Sequence, residues 1–188
     1  MAEFSLISEP PLAGVEFEFG GIKVHAPENL AIVSIALPLG GEADAEKAIN
    51  AAFGEALPDP GRSVVCKDGS RLVRLSPDQA FVMFTHETPD AEPFIEQRLK
   101  GKAYTTDQTD VWVGLVVEGS QSRAALERIC PIDLHDAAFA IDDAARTVME
   151  HLGVLIIRTG ANAFLLLSAS SSADSFLHAI QLSARNVS

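Results

Sequence analysis

The amino-acid sequence predicts an α+β fold made of two related halves, with mainly antiparallel sheets flanked by helices. Three observations predict it. The order strand, helix, hairpin, helix occurs twice along the chain. Strand candidates follow one another across short turns, which forces antiparallel pairing, while helices between the strand groups cover a face. No Gly/Ser-rich linker parts the two halves near residue 101. The expectation is therefore one compact unit over residues 1–188, formed by pseudo-repeats of about 15–100 and 101–188 that share a core.

In the first half, Leu30 to Leu37 is short, continuous and rich in β-branched residues, as a buried strand requires. Gly40 and Gly41 break it. Ala45, Ala48, Ile49, Ala52 and Phe53 then recur at helical spacing, and Pro58 and Pro60 end that helical region. Ser63 to Cys66 and Arg71 to Leu75 are strands joined through Asp68-Gly69, a strong hairpin pair. Ser76-Pro77-Asp78 turns the chain into Ala80 to Phe84, and after Pro89-Asp90 a helix carries Phe94, Ile95 and Leu99.

The second half repeats the order. Asp110 to Val117 is a strand and Ser122 to Cys130 a helix with Ala125, Leu126 and Ile129 inward. A hairpin joins Val154–Arg158 to Ala163–Leu167, and Ser170 to Ser172 cap a last helix that buries Phe176, Leu177 and Ile180. Arg74 answers Arg158, Phe81 answers Phe164 and Phe94 answers Phe176. An extra helix, from about Ala144 to Leu152, interrupts the second copy. The first 14 or so residues, with Pro10 and Pro11, read as an arm that pairs with nothing of its own, frayed or laid along a partner.

Composition narrows the function. Hydrophobic residues make up 47% and charged residues 21%, enough apolar material for a core. A net charge of −12, from 26 acidic and 14 basic residues, argues against nucleic acid and against an anionic membrane surface. No apolar run approaches the roughly 20 residues that span a bilayer, and the acidic start is unlike a secretion signal. The reading is a cytoplasmic protein. Cys66 and Cys130 suit a reducing compartment as small buried hydrophobes.

The polar residues offer no site. His25, His86, His135, His151 and His178 show no helical ligand pair, and there is no Cys-x-x-Cys, so they are read as structural or surface groups. No Gly-x-Ser-x-Gly occurs, and neither cysteine has a flanking histidine to activate it. Leu39-Gly40-Gly41 lacks the phosphate-loop patterns, and Glu42 would repel a phosphate, so it is read as a turn. Asp142-Asp143 is read as capping the helix expected from Ala144, and Asp107 and Asp110 as shaping a turn into a strand. No catalytic, cofactor-binding or metal residue is assigned.

A resemblance then becomes visible. Leu126-Glu127-Arg128-Ile129-Cys130-Pro131-Ile132-Asp133-Leu134 resembles the L-x-R-x-C-P-x-D-L segment of sarcosine oxidase gamma subunits. Phe139, Ala145-Arg146-Thr147, Arg158-Thr159-Gly160, Phe164-Leu165-Leu166 and Ala173 to Ile180 continue it in order, and Pro77-Asp78 before Phe81 fits the first hairpin. The likeness runs over roughly residues 60 to 185.

The resemblance implies the duplicated fold of the folate-binding domain of aminomethyltransferases. It implies a heterotetramer that demethylates sarcosine oxidatively to glycine and passes the one-carbon unit to tetrahydrofolate. Alpha, beta and delta subunits would be the partners, alpha foremost. Flavins (FAD and FMN) would lie with beta, NAD and tetrahydrofolate with alpha, and zinc with delta, none being bound by this chain. Where aminomethyltransferases place acidic residues before the second hairpin, this chain has Leu152 and Gly153, which carry no proton. The leading expectation is thus a non-catalytic assembly subunit. The alternative is a stand-alone folate-dependent one-carbon transferase or folate-binding protein, and a free regulatory module has no positive feature.

Overall fold

Strands that are apolar at every position need cover on both faces, and the architecture supplies it. The computed structural model describes residues 9–187. The strands are β1 (Glu16–Phe19), β2 (Ile22–His25), β3 (Leu30–Ala36), β4 (Arg62–Val65), β5 (Arg71–Ser76), β6 (Gln79–Thr85), β7 (Tyr104–Asp107), β8 (Trp112–Glu118), β9 (Ala144–Met149), β10 (Leu152–Gly160) and β11 (Ala163–Ala169). The helices are α1 (Glu42–Phe53), α2 (Ala91–Leu99), α3 (Ser122–Glu127) and α4 (Ala173–Arg185). One sheet has the order β1-β2-β8-β11-β10-β9 and the other β4-β5-β6-β3-β7. All their pairings are antiparallel.

The sheets stack face to face, with helices on each outer face. Ile32, Phe81 and Met83 of one sheet meet Leu155, Ile157, Leu165 and Leu167 of the other in the middle layer. Alternate residues point the opposite way: Val33, Ile35 and Val82 pack with Ile49 and Ile95 of the first helix pair. Ile156, Phe164 and Leu166 pack with Leu126, Phe176 and Ile180 of the second. Period-two alternation thus serves two apolar layers at once, which explains continuous apolar runs in antiparallel strands.

The duplication is more complete than the sequence reading holds. β3-α1-β4-β5-β6-α2 and β8-α3-β9-β10-β11-α4 follow the same order, and β4-β5-β6-β3 is matched by β9-β10-β11-β8. The strand before each repeat joins the sheet of the other. β2 pairs with β8, and β7 pairs with β3.

Several expectations need correction. The extra helix from Ala144 to Leu152 does not exist: Ala144 to Met149 form β9, paired with β10 from Ala144↔Ile157 to Met149↔Leu152. Helix propensity is a weak preference, whereas a bare β10 edge would leave a row of backbone donors and acceptors unpaired. Residues 9–14 are not a free arm, since Leu12 is 3% exposed within the core under α3 and α4; residues 1–8 of the expected arm lie outside the described ones. Arg74 does answer Arg158, for each precedes a β-bulge, but Arg74 faces Ala80 where Arg158 faces Phe164. Ala80 therefore matches Phe164, and Phe81 matches Leu165. Phe94 and Phe176 both stand three residues into their helices, yet Phe94 is 41% exposed and Phe176 fully buried.

The turn after β8 lies against the β1–β2 turn. Gly119 has φ +114, and a Cβ there would sit 2.1 Å from the Gly21 carbonyl oxygen. Gly119→Ala is expected to cost about 1–3 kcal/mol by denaturant unfolding, while Gly153→Ala, which meets nothing within 4 Å, should change stability far less.

Candidate functional site

Two arginines, one buried and one partly buried, find matching partners in the two halves, although Arg74 Nε is buried without a hydrogen-bond partner among the described residues. Arg158, 3% exposed, donates from Nε to Gly160 O (3.2 Å), from Nη1 to Phe139 O (2.6 Å), and from Nη2 to Ala161 O and Asp136 Oδ1 (2.7 Å each). Arg74 donates to Pro77 O (2.5 Å) and Pro58 O (3.3 Å) and lies 3.3 Å from Glu46. In each half the guanidinium ties the hairpin turn three residues on to the segment that leads into the outer strand. Such forks hold the geometry of the two loops.

Asp142 and Asp143 have a different role from the one expected. With no helix to cap, they stitch the two sheets together at one corner. Asp142, at φ +69, receives Arg71 Nη1 at 2.5 Å, and its carbonyl accepts Ser63 N–H at 2.7 Å. Asp143 pairs with Arg62 and also accepts Ala140 N–H at 2.6 Å. Ala144 N–H donates to Gly61 O at 2.8 Å, and Arg62 and Asp143 form an isolated bridge. Each acid is answered by a base from the other repeat.

The remaining candidates are scattered. His25 stands on β2, 4.0 Å from Glu118; His86 meets Asp90 at 2.7 Å; His135 accepts Ala137 N–H; His151 and His178 are exposed. Among the described residues, no group of three or more His, Cys, Asp or Glu could hold a metal. Cys66 and Cys130 are buried, and burial pushes the Cys66 thiol up. At the Leu39-Gly40-Gly41 turn, Gly40 N–H donates to Glu42 Oε1 at 2.9 Å, so the loop binds its own carboxylate. The Glu42 carboxyl is held below its usual range by its own N–H and by that of Gly40. Asp107 accepts Thr109 N–H at 2.8 Å and shapes the turn, while Asp110 offers its carbonyl to Ser170 Oγ at 2.6 Å. Ser172 precedes α4 but makes no side-chain cap bond.

The segment Leu126 to Leu134 proves to be a packing device. Cys130 and Leu134 fill the core under α3 and α4, and the loop beyond supplies Asp136 and Phe139 to Arg158. Leu152 is partly buried in the same core, and Gly153 O accepts Ser168 Oγ at 3.0 Å. Sequence reasoning missed a cleft of about 260 Å³ at the end of the middle layer, lined by Leu12, Pro27, Leu30, Ile32 and Trp112. Its walls come from four separate segments, so no local motif marks it. Its hydroxyls are already engaged, Thr109 with the Ile32 backbone and Ser170 with Asp110 O.

Comparison with known proteins gives a consistent answer. Over 133 residues the chain is 27% identical to the sarcosine oxidase gamma subunit of Corynebacterium sp. (strain U-96). It resembles a sarcosine oxidase gamma subunit. The match takes in 70% of this chain and 64% of that protein, so the chain spans about two thirds of its relative. A chain of the heterotetrameric sarcosine oxidase of Corynebacterium sp. U-96, solved with pyrrole 2-carboxylate, superposes with a TM-score of 0.76 at 21% identity. That superposition covers 88% of this chain and 84% of the other. Aminomethyltransferase T of the glycine cleavage system from Bartonella henselae superposes with a TM-score of 0.63 at 13% identity, over 88% of this chain and 49% of that one. The fold is thus that of the sarcosine oxidase chain and of part of the aminomethyltransferase. No family model matches the chain.

Two outcomes check the buried-arginine account. Arg158→Met strands the Phe139 and Ala161 carbonyls and should cost about 2–4 kcal/mol in urea unfolding, at the scale of a lost buried partner or two. Asp136 is held below its usual range by the hydrogen bond and charge of Arg158, with Arg123 adding to them. Its contribution is therefore present above the unfolded value near 4 and is lost as pH falls through the lower folded value. The Tm of Asp136→Asn should fall less steeply on acidification than that of wild type.

Proposed function

We propose that this chain is the gamma subunit of a heterotetrameric sarcosine oxidase, acting as an assembly subunit without chemistry of its own. The single observation that carries the reading is the match to the gamma subunit, 27% identical over 133 residues with a TM-score of 0.76 to a chain of the solved oxidase. The polar network supports the assembly role, since the arginines and carboxylates singled out above answer one another within the chain.

On this reading alpha, beta and delta subunits are the partners, with alpha the nearest. The complex oxidises sarcosine to glycine and hands the one-carbon unit to tetrahydrofolate. FAD, FMN, NAD, tetrahydrofolate and zinc belong to the companions. The chain works in the cytoplasm as one compact unit of two pseudo-repeats. No helix among the described residues is long and apolar enough to cross a membrane.

A stand-alone folate-binding or one-carbon-transfer protein is the second reading. It is favoured by the likeness to aminomethyltransferase T together with the cleft beside Trp112. Shared fold is weak warrant for shared chemistry.

Tagged chain purified from its own cells should bring down a flavoprotein with flavin absorbance, and the oxidase assembled without it should lose yield or activity. Full assembly and turnover in its absence would overturn the proposal. Titration calorimetry of the isolated chain with tetrahydrofolate should give no heat; saturable heat would favour the second reading.

A further inference from the structure

The two sheets match strand for strand except at one edge. The order β2-β8-β11-β10-β9 in one answers β7-β3-β6-β5-β4 in the other, and β1, which covers β2, has no counterpart beside β7. The register carries the match to single residues. Ser34↔Phe81 answers Val116↔Leu165, so Tyr104, Thr105 and Thr106 take the places of Lys23, Val24 and His25.

The missing cover shows in the exposure. Val24 is fully buried, and Lys23 and His25 are half-buried. On β7 only Thr105 is half-buried, while Tyr104, Thr106 and Asp107 are exposed, Tyr104 to 70%. The backbone agrees. Gln108 N–H donates to Ile32 O at 2.8 Å, and bonding toward one neighbour alternates along an antiparallel strand. Tyr104 and Thr106 therefore turn their backbone groups to β3, and Thr105 and Asp107 turn their N–H groups outward. Among the described residues no strand lies there to receive them.

The other three sheet edges are guarded. β1 carries Glu16 and Glu18, while β4 and β9 carry Arg62 and Arg146. β4 and β9 are also tied to each other at one corner, where Ser63 N–H meets Asp142 O and Ala144 N–H meets Gly61 O. Folded proteins protect free edges by charge, proline, bulges or cover. β7 has its one charge, Asp107, at its end, and offers before it Tyr104, Thr105 and Thr106, with no proline and no register shift. These are residues of high strand propensity, and an edge of this kind is a template for strand addition. A second copy of the chain is poorly suited to the place, since two molecules at −12 repel each other.

We propose that the outer edge of β7 receives an extended segment of a companion protein, which pairs antiparallel with β7 and completes the five-stranded sheet as β1 completes the other. The segment is about as long as β1, four residues, and sets an apolar or aromatic side chain across from the exposed Tyr104 ring. The proposal rests on the subunit reading above and supplies one contact of that assembly.

The test is amide exchange of the full chain, alone and mixed with the companion chains of its own oxidase, with binding titrations and sedimentation beside it. Alone, the Thr105 and Asp107 amides should exchange as fast as loop amides; with companions bound they should slow by about tenfold or more. Thr105→Pro, which deletes an outward N–H, and Tyr104→Glu should each weaken binding by about tenfold or more. Tyr104→Glu alters an exposed side chain, so the Tm should hold, and this variant decides the matter if Thr105→Pro fails to fold. Glu18→Lys, on the β1 edge, should bind as wild type does.

Companion binding that leaves both amides unprotected and is untouched by Tyr104→Glu would put the contact elsewhere, while the subunit reading stands. Protection of both amides in the monomeric chain alone would mean that the chain covers this edge itself. Protection that rises with concentration as a dimer forms would make the occupant a second copy. Either result overturns the proposal. If wild type binds no companion chain, the subunit reading fails and this proposal with it.

Discussion

Ile32, Phe81 and Met83 meet Leu155, Ile157 and Leu167 between two sheets, neither of which has another cover for that face. Opening this layer would bare nine buried side chains, a loss on the order of 10 kcal/mol or more at the usual value for burying one. That rivals the whole stability of an ordinary domain. The exchange of β2 and β7 between repeats adds a backbone constraint to the apolar one, because each sheet takes an edge strand from the other half. The corner where Arg62 and Arg71 answer Asp143 and Asp142 closes the same layer from the side.

That constraint explains what the sequence could and could not show. The strands of the middle layer were legible because two-sided burial writes itself as an apolar run, as in Leu30 to Ala36 and Val154 to Ile157. The helices were legible from their spacing and the hairpins from their turns. β9 was not, since Ala144, Ala145, Met149 and Leu152 are good helix formers and only pairing with β10 makes the segment a strand. The repeat itself held the missed signal, because β4 stands at the equivalent place in the first half. The β1–β2 hairpin was also missed, although Glu16-Phe17-Glu18-Phe19 alternates cleanly before Gly20-Gly21. Its partner, β8, lies some ninety residues away in sequence, and nothing local announces that pairing.

The polar residues follow the same logic. Arg158 is nearly inaccessible, yet its bonds end on carbonyls and one exposed carboxylate that shape loops. Asp142-Asp143 looked like a cap in the sequence because its partners, Arg62 and Arg71, lie in the other repeat. A duplicated sandwich of this kind uses its charges to hold one half on the other.

The most direct test of this account is calorimetric unfolding of the full chain, with amide exchange followed strand by strand. If the shared layer and the exchanged strands govern the fold, heat absorption follows a single transition, and the interior of β3, β6, β10 and β11 exchanges at one common, slowest rate. Two resolved transitions, or one half exchanging while the other stays protected, would contradict it.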